Sequence, residues 1–103
     1  MATLEKLAKD LHMKPDELIR ESLGTFLRHR LKLIEAELFL LAKRYGVSDV
    51  QEFDRAIQQG RFHEQDSFED YFKFDNLEAE RDLLLEYLEK LSRAWGQVLQ
   101  SNS

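Results

Sequence analysis

Apolar side chains recur with helical spacing almost from the first residues of this chain. Leu4, Leu7, Ala8 and Leu11 follow the i, i+3, i+4, i+7 pattern of an amphipathic helix. Pro15 disfavours helical geometry at Lys14, so that helix is expected to stop near His12 and Met13. Pro15 suits the first position of a second helix, and Asp16 and Glu17 suit the positive end of its dipole. Ile19, Leu23, Phe26, Leu27, Leu31, Ile34, Leu38 and Leu41 then continue the pattern toward Tyr45. Gly24 alone weakens that run, by about 1 kcal/mol relative to Ala. Gly46 is the expected left-handed cap, with Lys43 and Arg44 at the negative end of the dipole.

A helix from Pro15 to Tyr45 would be about 45 Å long. A compact domain of this size has a radius of gyration of about 13 Å. The stripe that includes Leu38, Phe39, Leu40 and Leu41 is therefore expected to need a second copy, a partner or a bend to cover it. Beyond Gly46, Ser48 with Gln51 forms a capping box for a short helix. Val47, Val50, Phe53, Ala56 and Ile57 make its apolar face, and Gly60 closes it. GRFHEQD at 60–66 reads as a polar loop, and Ser67 with Asp70 as the cap of a short turn through Tyr71 and Phe72. A last helix is predicted from about Asn76 to Gln100, with Asp75 and Glu78 as its capping pair. Leu77, Leu84, Leu88, Leu91, Trp95 and Val98 keep a 4–3 spacing along it, interrupted at Arg81. The pattern predicts an elongated all-α protein: a short first helix, a long central one, and two or three more. It divides into a helical dimerisation region, 1–46, and an acidic partner-binding region, 47–103. Leu4, Leu7, Leu11, Ile19, Leu23, Phe26, Leu27 and Ile34 are the expected dimer contacts.

Charge sharpens that division. Residues 1–44 carry nine Lys/Arg and seven Asp/Glu, whereas residues 45–103 carry six and thirteen. The acidic half disfavours contact with DNA phosphates and suits a basic protein partner. With 43% apolar and 34% charged residues the chain reads as a folded helical domain rather than a disordered one. Cysteine is absent, which excludes disulfides and thiolate metal sites and fits a reducing cytoplasm. The longest apolar runs, LFLLA and LLL, fall far short of the ~20 residues of a membrane span, and the start does not read as a signal peptide.

Candidate chemistry is sparse. His12, His29 and His63 are too scattered for a metal site, and HEQD at 63–66 matches no metal-ligand spacing. The carboxylate pair Asp16/Glu17 is explained by a helix N-terminus, and Glu69/Asp70 has no nucleophile or Gly-rich phosphate loop to work with. Neither an enzyme nor a cofactor is expected. EDYFKF at 69–74 instead reads as a contact surface, because aromatics dominate interface hot spots and acids between them orient a partner. Phe68 and Phe72, at helical spacing, are expected to cover helix ends. Phe62, Glu69, Asp70, Tyr71, Phe74 and Asp75 are the expected partner contacts.

LEKLAKDLHMKPDELIRESLGTFLRHRL resembles the helix pair of ribbon-helix-helix proteins, a class that includes many type II antitoxins. The resemblance rests on LEKLAKDL, a short turn and PDELIRESLGTFL, with Ser22 where Ala is commoner and Lys14-Pro15 in place of a small polar cap. Proteins of that class read DNA with a β-ribbon, one strand from each monomer. A strand needs about five residues, and only Met1, Ala2 and Thr3 precede the first helical apolar position. DNA binding by this chain alone is therefore disfavoured. The resemblance implies a dimeric N-terminal part and a C-terminal part that neutralises a cognate toxin. The alternatives are an autoregulator of its own operon and a helical scaffold subunit.

Overall fold

In a computed structural model the chain is all-α, with no strand among the described residues. The structure describes residues 2–101, and side-chain surroundings for residues 2–94. The helices are α1 (Ala2–Asp10), α2 (Pro15–Tyr45), α3 (Val50–Gln58) and α4 (Gln65–Ser101). Its extents are 59 × 29 × 19 Å and its radius of gyration is 19.8 Å. The expected elongation is present. Among the described residues no helix is long and apolar enough to cross a membrane.

Left-handed residues end the first three helices. His12 has φ 59°, and Met13 N–H donates to the Ala8 carbonyl while His12 N–H donates to Lys9. That pattern is a Schellman motif, which Gly usually fills because a Cβ is strained there. Gly46 (φ 65°) and Gly60 (φ 78°) do the same for α2 and α3. At the start of α2 the Glu17 carboxylate accepts the Lys14 backbone N–H at 3.1 Å, one half of a capping box.

Two expected helix starts are corrected. α3 is capped by Asp49, whose carboxylate accepts the Glu52 N–H at 2.8 Å, and not by Ser48 with Gln51. Ser48 instead donates its hydroxyl and backbone N–H to the Glu52 carboxylate, which holds that acid below its ordinary pKa. α4 begins eleven residues before Asn76, absorbing the short turn expected at 67–72. Asp75 and Asn76 are weak helix formers, at about 0.6 kcal/mol each. They are flanked by Phe74 and Leu77, both buried, and tertiary packing overrides the local preference. Glu78 is not a cap of its own helix: its carboxylate accepts the Val50 N–H at 3.0 Å, at the N-terminus of α3.

α4 runs back along α2, and this chain itself covers two of the four stripe residues expected to need cover, Leu38 and Leu41. Arg30 pairs with Glu80 at 2.9 Å, and Arg44 with Asp70 at 3.0 Å, so residue numbers rise on one helix as they fall on the other. Ile34, Leu38 and Leu41 of α2 meet Phe74, Leu77 and Leu84 of α4 in a core closed at one end by Val47 and Phe53. Leu38 and Leu41 are buried, whereas Phe39 and Leu40 stay about two-thirds exposed. The core thus draws on both sides of Gly46. Leu88 and Leu91 are half-buried; Trp95 and Val98 lie outside the residues whose side chains are described.

Candidate partner-binding face

Six residues of the acidic half were singled out for partner contact, and the structure divides them. Phe74 is 1% exposed and belongs to the core, so it cannot present itself to a partner. Phe62 and Tyr71 lie in an aromatic cluster around Phe53 at the end of the α2–α4 hairpin. Tyr45 stacks on Phe53 at 4.3 Å between ring centres, and Phe62 meets both rings edge-on. Phe53 is fully buried, and edge-to-face pairs of this kind add about 0.5–1.5 kcal/mol each beyond area burial. Burial raises the Tyr71 phenol pKa, helped by the negative charges of Asp54 and Asp75.

Asp70 is also committed within the chain. It accepts the Tyr45 hydroxyl and an Arg44 guanidinium N–H on the same oxygen. Desolvation, followed by that bond to a carboxylate, pushes the Tyr45 phenol up to about 12. Of the six, Glu69 and Asp75 alone are exposed.

The residues expected to be buried are the ones that face outward. Phe68 is 40% exposed and Phe72 64%. At 100° per residue these two, Ala79 and Leu83 fall on one line, close to opposite the core-facing Phe74, Leu77 and Leu84. Glu69, Asp75 and Asp82 border that line, Glu86 falls on it, and Lys90, paired with Glu86 at 3.0 Å, ends it. By the same geometry Arg81 lies on the other side of the helix, from which it reaches Asp82 at 3.1 Å, and Lys73 lies on the flank beyond Glu69. From Phe68 to Leu83 the line is about 22 Å long. The 4–3 spacing shows which side of a helix is apolar, but Phe68 and Phe72 sit on a second apolar line whose signal the neighbouring core residues obscure. Separating the two lines needed the continuous register from Gln65, which the expected break at Asn76 hid.

On the N-terminal side, Ile34 is buried in the core and Leu27 is half-buried against it. Leu4 is half-buried, and Leu7, Leu11, Ile19, Leu23 and Phe26 are exposed. Among the described residues no group of three or more His, Asp or Glu is placed to hold a metal ion. A shallow groove of about 330 Å³ beside Phe39 is lined by Leu38, Ala42 and Phe74 with Glu78 and Arg81 at its rim. Both rim groups are already engaged, Glu78 by Val50 N–H and Arg81 by Asp82.

These features define an elongated helical hairpin whose outer surfaces carry exposed aromatic and aliphatic side chains. A family model described as the uncharacterized protein MJ0235 family matches residues 1–95, and the chain belongs to that family. Neither the curated proteins nor the solved structures contain a significant match.

Proposed function

We propose that this chain is an antitoxin-like binding protein that neutralises a cognate toxin by laying the outer face of α4 across it. One observation carries the reading: Phe68 and Phe72 stand exposed on a helix face bordered by Glu69 and Asp75 and, further on, by Asp82 and Glu86, which pair with Arg81 and Lys90. Exposed aromatics are what interfaces use as anchors, and an excess of one sign of charge selects a partner of the other. A basic protein surface, such as one that binds phosphates, is the complement. Binding there covers that surface and blocks its access to a polyanion.

Co-expression with the product of the adjacent gene tests this. The expected result is a complex that co-purifies and relieves growth inhibition by that product. Phe68→Ala combined with Phe72→Ala is expected to abolish the complex and leave the helical content unchanged. A neighbouring product that neither binds nor inhibits growth refutes neutralisation, and a complex unmoved by the double variant refutes the face.

A further inference from the structure

We infer that a second copy of this chain covers the apolar face at the N-terminal end, packing α1 and the first half of α2 about a two-fold axis near Leu23 and Phe26. Ile19, Leu23 and Phe26 follow i, i+4, i+7 along one side of α2, at 41%, 46% and 64% exposure. Leu7 on α1 and Leu11 in the turn that follows it repeat the i, i+4 spacing, at 50% and 57%. α1 packs on α2, with Ala8 fully buried. Leu7 is therefore held outward on a packed helix, and Leu11 is held beside it by its N–H, which donates to the Leu7 carbonyl at 3.0 Å. At roughly half exposure, five such side chains present on the order of 500 Å² per copy, and two copies remove about 1,000 Å² from water through them alone. That meets the lower bound for a specific interface.

Shape points the same way. The chain exposes 7899 Å², whereas a compact monomer of its mass exposes about 6,000 Å². Charge then selects the occupant. Residues 1–30 hold six Lys/Arg and five Asp/Glu, a net +1, and residues 81–94, which the Arg30–Glu80 pair brings to the same end, hold three of each, whereas residues 45–80 hold three Lys/Arg and ten Asp/Glu, a net −7. Two identical chains repel wherever their acidic halves meet, and they approach without that penalty at the near-neutral end. Arg30, held by Glu80 at 2.9 Å, interrupts the apolar run on α2 between Phe26 and Leu33. The inference is independent of the α4 reading.

Sedimentation velocity on the full chain tests it, from about 1 to 100 µM across the usual range of dimer affinities. The expected species has twice the 12.2 kDa chain mass. Leu23→Glu and, separately, Phe26→Glu are expected to give monomers with unchanged circular dichroism, because both positions are exposed within one chain. Leu33→Glu, on the same helix beyond Arg30, is the control and is expected to remain dimeric. A wild-type chain that is monomeric at 100 µM overturns the inference. So does a dimer that survives both substitutions, or one that Leu33→Glu alone dissociates.

Discussion

The Tyr45 hydroxyl donates a 2.5 Å hydrogen bond to the Asp70 carboxylate, tying the last turn of α2 to the second turn of α4. Arg44 donates to the same carboxylate oxygen from the neighbouring position. The neutral phenol is the form this site favours, because burial penalises the phenolate, the neutral hydroxyl donates to Asp70, and ionisation would place a second negative charge beside that carboxylate. Tyr45 is accordingly raised to about 12, from an ordinary value of 10.

That shift makes stability depend on pH in alkali. Below pH 10 the phenol is protonated in both folded and unfolded chains, and the contribution is fully present. Between pH 10 and about 12 the unfolded chain releases the proton while the folded chain retains it, so stability falls as pH rises. The pair is reached by solvent, and the loss is expected to be about 1 kcal/mol. Urea unfolding at pH 8 and pH 11 measures it. In Tyr45→Phe this alkaline decrement should shrink, and the latest-titrating phenolate absorbance near 295 nm should disappear from the spectrum.

The helix ends give a pair of opposite expectations. Gly46 adopts φ 65°, where a Cβ meets no neighbouring atom but strains the backbone. Gly46→Ala should therefore cost about 1 kcal/mol. His12 adopts φ 59° with a Cβ already present. His12→Gly should leave stability unchanged or raise it by up to about 1 kcal/mol, as relief of left-handed strain is offset by greater freedom in the unfolded chain. Thermal melts of the two variants read both signs.

Much of this was legible in the sequence, and the exceptions have physical causes. Pro15, Gly46 and Gly60 marked boundaries because each restricts or frees the backbone by its own covalent structure. The Ser48–Gln51 cap was displaced by one residue because Asp49 offers a carboxylate to the same helix end. The break expected at Asp75-Asn76 did not survive because Phe74 and Leu77 are clamped against α2 on either side of it. The same missing register misplaced the site. Asp70 and Tyr71 looked like contact residues within EDYFKF, yet their partners Tyr45 and Phe53 lie more than fifteen residues upstream. No local pattern announces contacts at that separation.

Phe53 is the residue on which the hairpin end depends. It is fully buried, and its ring meets Tyr45, Phe62, Tyr71 and Phe74. Phe53→Ala should cost about 3–5 kcal/mol through lost transfer free energy and the cavity left behind. In a chain of this size that approaches total stability, and the variant is expected to melt tens of degrees lower or to be largely unfolded. Phe39→Ala, at a ring two-thirds exposed, should shift stability by no more than about 0.5 kcal/mol. Circular dichroism at 222 nm compares them directly.

The α4 face makes a last prediction in which stability and binding separate. Phe72 is 64% exposed, and its ring meets Tyr71 edge-on at 5.5 Å. Phe72→Ala should change folding stability by about 0.5 kcal/mol or less. If the ring anchors a partner, the same change should weaken binding by about 2 kcal/mol, roughly 30-fold. Asp75→Asn removes one border charge without touching the core, and its effect should fall mainly on the association rate and diminish at high salt. Phe74→Ala, one helical step away, should show the reverse: a large loss of stability, because that ring is 1% exposed. Its affinity should be preserved in whatever fraction remains folded. Surface plasmon resonance at 50 and 500 mM salt, alongside thermal melts, places each variant. A Phe72→Ala protein that binds as tightly as the parent would move the anchor elsewhere on α4.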